Sequence, residues 1–84
     1  MRLEKIERKF GIDFFAVIDN EVKIGHVGIQ KYEDEIVISY SAKIGTRENL
    51  KPIIKDFFKC YGTPTERKGM FCDFLEYKNG SRAA

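Results

Sequence analysis

His26 is the only histidine in the chain, so it is the one imidazole that could act as a general base near neutral pH. Nucleophilic catalysis would also need a nucleophile and an orienting carboxylate beside that ring. His26 instead stands between Gly25 and Val27 in an apolar run, a setting typical of a half-buried structural histidine. The sequence therefore predicts no catalytic residue, although an enzymatic activity is left open.

Metal and nuclease chemistry also lack the spacing that they require. The acidic run at residues 33–35 is typical of a solvated turn. Asp73 with residues 76–78 is the stretch most similar to the carboxylate and lysine set of a nuclease, but its arrangement is not that of a nuclease core. The two cysteines, Cys60 and Cys72, have no metal-ligand spacing. We expect two reduced thiols, with a bridge between them as the minority alternative. No metal, cofactor or small-molecule substrate is predicted.

Four basic residues recur at every fourth position of a helical segment and are called the basic ridge here: Arg47, Lys51, Lys55 and Lys59. Four-residue steps drift slowly around a helix, so these charges follow one flank. Like charges at this spacing repel each other, and nucleic-acid phosphates would be natural counter-ions. Glu48 and Asp56 lie on the same exposed side and favour the alternative, an ordinary solvated helix face.

The composition is that of one small globular domain. The 84 residues are 43% hydrophobic and 33% charged, with a formal net charge of +2. This charge is too small to indicate a nucleic-acid partner by itself, and no apolar run approaches the roughly 18 residues of a membrane span. We expect a single cytoplasmic domain over residues 1–84, with residues 79–84 as a frayed polar tail and no membrane partner.

The first segment has the spacing of a helix. Leu3, Ile6 and Phe10 recur at intervals of three and four, which places them on one stripe, and Gly11 follows as a helix-closing residue. The sequence therefore predicts a short amphipathic helix over Arg2–Phe10, too short to be stable unless it docks on another element.

Three strands are predicted next. Residues 12–18 and 22–29 are rich in branched and aromatic side chains and flank the turn pair Asp19-Asn20, which is typical of a hairpin. Residues 36–44 alternate apolar and polar side chains, which indicates a strand with one buried face.

The strongest pattern covers Thr46–Tyr61, where apolar residues at helical spacing predict a long amphipathic helix with Thr46 as its N-cap. Gly62 and Pro64 end this helix, residues 63–69 read as a polar connection, and Met70–Tyr77 as a final strand. The predicted fold class is α+β, in the order helix, three-stranded antiparallel meander, long helix, strand. The last strand could return parallel to its neighbour by a right-handed crossover.

Adjacent aromatic residues suggest an uncovered sheet face. Phe14 and Phe15 must point to opposite faces of a strand, and helices on one side cannot cover both. We therefore predict an apolar partner-binding patch that contains Phe15, Val17 and Val37. The alternative is that the N-terminal helix covers this second face.

A hairpin from Phe15 to Ile29 that contains Gly25-His26-Val27-Gly28, followed by a strand and a helix over residues 35–61, is similar to the acetyltransferase core of the general-control type. That family holds its cofactor's pyrophosphate on the amides of a glycine-rich loop at a helix start. Residues 45–50 stand at this place with one glycine, so the resemblance implies a degenerate acetyltransferase-like fold without the cofactor loop. The helix and strand order also loosely resembles the double-stranded RNA-binding domain.

These observations favour a small non-enzymatic binding domain. We expect a regulator or inhibitor, for example one encoded by a phage or mobile element, that occludes a protein partner or associates with itself as a homodimer. Nucleic-acid binding through the basic ridge is the first alternative, and the acetyltransferase-like fold is the second.

Overall fold

The structure, a computed structural model, describes residues 2–42 and 47–78 and consists of a six-stranded antiparallel sheet with one α-helix packed on it. The first four strands follow each other as a meander, and the last two form a hairpin after the helix. The strands are β1 (Arg2–Lys9), β2 (Ile12–Asp19), β3 (Val22–Lys31), β4 (Glu35–Ala42), β5 (Thr65–Lys68) and β6 (Asp73–Lys78). Helix α1 (Arg47–Phe57) is followed by a 3₁₀ turn at Lys59–Tyr61. The strand order is β1-β2-β3-β4-β6-β5, and every neighbouring pair is antiparallel.

The predicted N-terminal helix is wrong, because residues 2–9 form the edge strand β1. Leu3 packs against the core, Ile6 lies at a β-bulge, and Phe10 lies in the hairpin turn, so the three do not share a stripe. Gly11 does not close a helix, because its φ of 75° and that of 54° at Phe10 form a two-residue hairpin turn of type I′. Pairing with β2 satisfies the backbone of a segment too short to be stable as a helix.

The predicted fold class is also wrong. The molecule is mostly one antiparallel sheet, since the polar connection expected at residues 63–69 contains β5 and the last strand runs antiparallel to both of its neighbours. All four residues of β5 are exposed and none is apolar, so this strand has no hydrophobic pattern to reveal it. Its place is decided by hydrogen bonding to β6.

The middle of the chain follows the sequence pattern. The hairpin of β2 and β3 is confirmed, with its turn at Asn20 and Glu21, both at positive φ, and β4 is confirmed as the third strand of the predicted set. The long helix is confirmed from Arg47 to Phe57, with Pro52 inside it. The N-cap predicted at Thr46 lies outside the described residues.

The core lies between α1 and one face of the sheet, here called the helix face. It contains nine buried side chains: Val17, Val27, Ile29, Ile38, Tyr40, Leu50, Ile54, Leu75 and Tyr77. Gly25 lets the helix approach the sheet closely, because a Cβ atom there would lie 2.8 Å from Cδ1 of Leu50. No helix among residues 2–42 and 47–78 is long and apolar enough to cross a membrane.

Candidate functional site

The strand register assigns each predicted patch residue to a face, because paired residues of an antiparallel sheet share one face. Phe15 is paired with Val27 and Val17 with Gly25, and these positions lie beneath α1 on the helix face. Val17 is fully buried there. Val37 is on the opposite face, since it neighbours the core residue Ile38 along β4. The structure therefore does not bring Phe15, Val17 and Val37 together.

The sheet face turned away from α1, here called the open face, carries its own apolar surface. The register places six apolar side chains on it: Ile12, Phe14, Ala16, Ile18, Val37 and Phe74. Apart from the well-buried Ala16, these side chains are half-buried between their neighbours. None of the secondary-structure elements in the described ranges packs over this face. Phe14, not Phe15, is thus the member of the aromatic pair that faces away from the core.

One row of paired residues crosses the open face from edge to edge. From β1 to β5 it reads Glu7, Phe14, Gly28, Ser39, Phe74 and Arg67. A Cβ atom at Gly28 would lie 3.0 Å from Oγ of Ser39 and 3.5 Å from a ring carbon of Phe14, which confirms that these groups share the face. Gly28 is buried beneath the side chains of Ile12, Phe14 and Ser39, and the strands that carry Phe14 and Phe74 lie about 14 Å apart, at about 4.8 Å per strand spacing.

Charged groups border this apolar surface along both edges of the sheet. On the β5 edge, the Arg67 guanidinium lies 4.0 Å from the ring centre of Phe74 and 2.9 Å from a carboxylate oxygen of Glu76. On the β1 edge stand Glu7 and Lys9, and Glu7 has no ion pair with any residue in the described ranges. The rim therefore mixes both signs of charge.

The basic ridge is largely occupied by contacts within the molecule. Arg47 lies 3.0 Å from a carboxylate oxygen of Asp73, whose side chain is only 8% exposed, and donates hydrogen bonds to the carbonyl oxygens of Gly69 and Met70. Arg47 thereby joins the start of α1 to the β5–β6 hairpin. Asp73, considered as part of a nuclease set from its sequence position, is the buried partner of this arginine.

Lys51 and Lys55 both bind Glu66 on β5, at 3.1 and 2.8 Å from its two carboxylate oxygens. Lys55 and then Lys51 lower the pKa of the Glu66 carboxyl through these hydrogen bonds, and Glu66 raises the pKa of Lys51 in return. Lys59 is 79% exposed and lies 3.7 Å from a carboxylate oxygen of Asp56. Three of the four ridge residues thus fasten the helix to the β5–β6 hairpin.

The β5–β6 loop presents two apolar side chains that sequence reasoning did not single out. Met70 is 83% exposed and Phe71 is 84% exposed. The loop below them is ordered by Arg47, which bonds two of its carbonyl groups, and by Asp73, which accepts a hydrogen bond from the amide of Gly69. The sequence analysis placed Met70 and Phe71 in the final strand, because no pattern in the sequence distinguishes the loop from the strand.

The remaining candidate groups are dispersed. His26 lies exposed on the open face, paired with Ala16 and Ser41. Cys60 is exposed, Cys72 is half-buried, and both are free thiols. Within the described ranges, no three His, Cys, Asp or Glu side chains are placed to hold a metal ion.

Comparison of the chain with models of protein families, with curated proteins and with solved structures finds no match. The geometry of the open face and the charges around it therefore indicate what this chain can bind.

Proposed function

We propose that this chain is a small protein-binding domain that acts through the open face of its sheet. The observation that carries the proposal is the set of six apolar side chains on a face that no described element covers. Sheets bury one face against a core and solvate the other, so an apolar second face is typical of a protein interface. Binding there would occlude the matching surface of the partner.

The charges around this face favour a protein over a nucleic acid. Phosphate recognition needs a surplus of cations, whereas the rim combines Glu7 and Glu76 with Lys9 and Arg67. The basic ridge offers little surplus, because Arg47, Lys51 and Lys55 are already paired with carboxylates. An apolar centre with a mixed polar rim is the usual anatomy of a protein–protein interface.

Site-specific photo-crosslinking in the native host cells tests the proposal. Replacing Phe14 by p-benzoyl-phenylalanine keeps an aromatic side chain on the open face and makes it reactive toward a bound protein. The matched control places the same group at Tyr32, which is 52% exposed in the β3–β4 turn. We expect a discrete protein adduct from position 14 that is absent from position 32.

A second substitution, Phe74→Asp, should abolish the adduct at position 14, because it puts a charge into the same apolar surface. Thermal unfolding of this variant would show that the domain still folds. Equal labelling at both positions, or none at position 14, would refute the open face as a protein-binding site.

A further inference from the structure

The rim charges of the open face have an arrangement that is complementary to itself. The row that starts with Glu7 on β1 ends with Arg67 on β5, and both side chains lie on the open face. The next row on this face starts with Lys9 and reaches Glu76 on β6 before it ends. The β1 edge thus carries Glu7 and then Lys9, whereas the opposite side carries Arg67 on β5 and then Glu76 one strand further in, on β6, with Thr65 at the end of that row.

A two-fold axis that runs parallel to the strands, between two facing sheets, brings these edges together. Such an axis would lie between β3 and β4, the middle of the strand order, so β1 of one copy would cover β5 of the other. This rotation leaves each residue at the same height along the strands, so residues that face each other across the interface belong to the same row. Glu7, which has no ion pair among the described residues, then faces Arg67 of the second copy, whose guanidinium also pairs with Glu76 of its own chain, and Phe14 faces Phe74.

The same geometry places Lys9 of one copy opposite Thr65 of the other, with Glu76 on the neighbouring strand, and Gly28 opposite Ser39. The alternative face-to-face arrangement has its two-fold axis perpendicular to the strands. An axis through the first row would set Glu7 against Glu7 and Arg67 against Arg67, which are repulsive contacts across an apolar surface. An axis between the two rows would set Glu7 against Lys9, but Arg67 against Thr65 and Phe74 against the carboxylate of Glu76. Both of these placements leave Arg67 without a directly facing carboxylate, so charge favours the arrangement in which the strands of the two sheets are aligned, a known mode of sheet packing.

We infer that the occupant of the open face is a second copy of this chain, packed face to face as a two-layer sandwich with its axis along the strands. This inference rests on the proposed function, since it names the partner of the same surface. Both edge strands are poor templates for edge-to-edge pairing: β1 is bulged and highly charged, and β5 has only four residues. Facing sheets remain as the route to self-association.

The size of the face sets the concentration at which the dimer should form. Six strands span about 24 Å across the sheet, and the paired rows span about 20 Å along it, at about 4.8 Å per strand and 3.4 Å per residue. This is a small interface among stable complexes, so we expect a Kd in the micromolar range.

Sedimentation velocity on the purified chain, from about 1 to 300 μM, measures this equilibrium directly. Glu7→Arg should weaken dimerisation at least tenfold, because it faces Arg67 of the second copy with a like charge. Glu33→Arg is the matched control, since it makes the same change of charge in the exposed β3–β4 turn. The double variant Glu7→Arg/Arg67→Glu should recover most of the lost affinity. A chain that stays monomeric, or Glu7→Arg that behaves like Glu33→Arg, would overturn the inference.

A disulfide trap provides a readout that does not depend on charge or on the stability of the Arg67→Glu variant. In a Cys60→Ser/Cys72→Ser background, Glu7→Cys with Arg67→Cys should give a covalent dimer on oxidation. The two positions lie at opposite edges of one sheet, about 24 Å apart, so they cannot join within one chain. A covalent dimer from Glu7→Cys alone would indicate the perpendicular axis and contradict the proposed packing.

The two proposals fail in different ways. A monomer in sedimentation together with an adduct of a different protein at position 14 would overturn the second copy and leave the open face as a protein-binding surface. A monomer with no adduct at position 14 would overturn both.

Discussion

Among single residues, two buried polar groups differ in whether they have a hydrogen-bond partner. Asp73 is satisfied by Arg47 and by the amide of Gly69. The hydroxyl of Tyr77, by contrast, is buried and has no hydrogen-bond partner in the described part of the chain. A buried polar group without a partner costs about 1–3 kcal/mol, whereas a buried charge that has lost its partner costs more. Removing the hydroxyl of Tyr77 should therefore raise the free energy of unfolding, whereas removing the partner of Asp73 should lower it.

Tyr77→Phe removes the unpaired hydroxyl and keeps the ring that packs against Tyr61. We expect the free energy of unfolding at pH 7 to rise by about 1 kcal/mol, measured by urea denaturation. Tyr32→Phe, at a tyrosine that is 52% exposed, should change it little. A clear loss of stability in Tyr77→Phe would show that the hydroxyl makes a bond in solution.

The same tyrosine predicts a dependence on alkaline pH. Burial raises the pKa of Tyr77 to about 12, above the value of about 10 in an unfolded chain. The folded state thus holds the phenol proton more tightly. The contribution of the protonated phenol to the free energy of unfolding is complete below pH 10 and is lost as the pH rises from 10 to 12. Between these values the stability of Tyr77→Phe should fall less steeply than that of the wild type.

Arg47→Met leaves the carboxylate of Asp73 buried without its ion-pair partner and removes two bonds to the loop. We expect the free energy of unfolding to fall by about 3 kcal/mol. Lys59→Met, at the exposed end of the same ridge, should cost less than about 0.5 kcal/mol. Equal and small losses of stability in the two variants would contradict the structural role of Arg47.

The nucleic-acid alternative has its own test. Salt-dependent binding of a labelled nucleic-acid duplex that is weakened by Lys55→Met would support a phosphate-binding role for the basic ridge.

At the scale of elements, both edges of the sheet depend on turns and pairing more than on hydrophobic pattern. The turn between β1 and β2 places Phe10 at a φ of 54°, a conformation that asparagine and glycine tolerate better than an aromatic residue. Phe10 is also 86% exposed, so its ring has little packing to compensate for this cost. The edge strand β1 is therefore held by a turn whose first residue is poorly suited to it.

Phe10→Asn creates an Asn-Gly pair, the preferred sequence for a two-residue turn of type I′. We expect the free energy of unfolding to rise by about 0.5–1 kcal/mol, since the strain at position 10 is relieved. Phe10→Leu serves as the control, because it shortens the side chain without favouring positive φ. A gain in Phe10→Leu equal to that in Phe10→Asn would assign the effect to loss of exposed apolar surface instead.

At the scale of the whole molecule, the sheet has one face covered by a helix and one apolar face left open. Short antiparallel sheets need apolar packing to be stable, and a second copy would supply a second buried layer. Folding and dimerisation are then linked, because association stabilises the folded state by mass action.

This linkage predicts that the unfolding temperature rises with protein concentration. Between about 5 and 300 μM, the Tm of the wild type should increase by a few degrees in calorimetry, since the dimer becomes the dominant species. The Tm of Glu7→Arg should change much less over the same range, while that of Glu33→Arg should follow the wild type. A Tm that is independent of concentration in all three would contradict the linkage.

Side-chain periodicity was sufficient to predict the elements whose apolar residues are buried in the core. The hairpin of β2 and β3, strand β4 and helix α1 all carry apolar residues at the spacing of their structure, and each lies over the core.

The two edge strands and the assignment of side chains to the faces of the sheet could not be predicted from periodicity, because they depend on contacts between distant segments. The helical spacing in β1 was overridden by hydrogen bonding to β2, and β5 has no apolar residue to mark it. Alternation shows that Phe14 and Phe15 point in opposite directions, but the side on which α1 packs determines which one is left outside. In the sequence only Glu48 and Asp56 lie beside the basic ridge, since Glu66 and Asp73 reach it only through the β5–β6 hairpin. Side-chain periodicity depends on local backbone geometry, whereas strand pairing and the side of the sheet on which α1 packs depend on contacts between segments far apart in the chain.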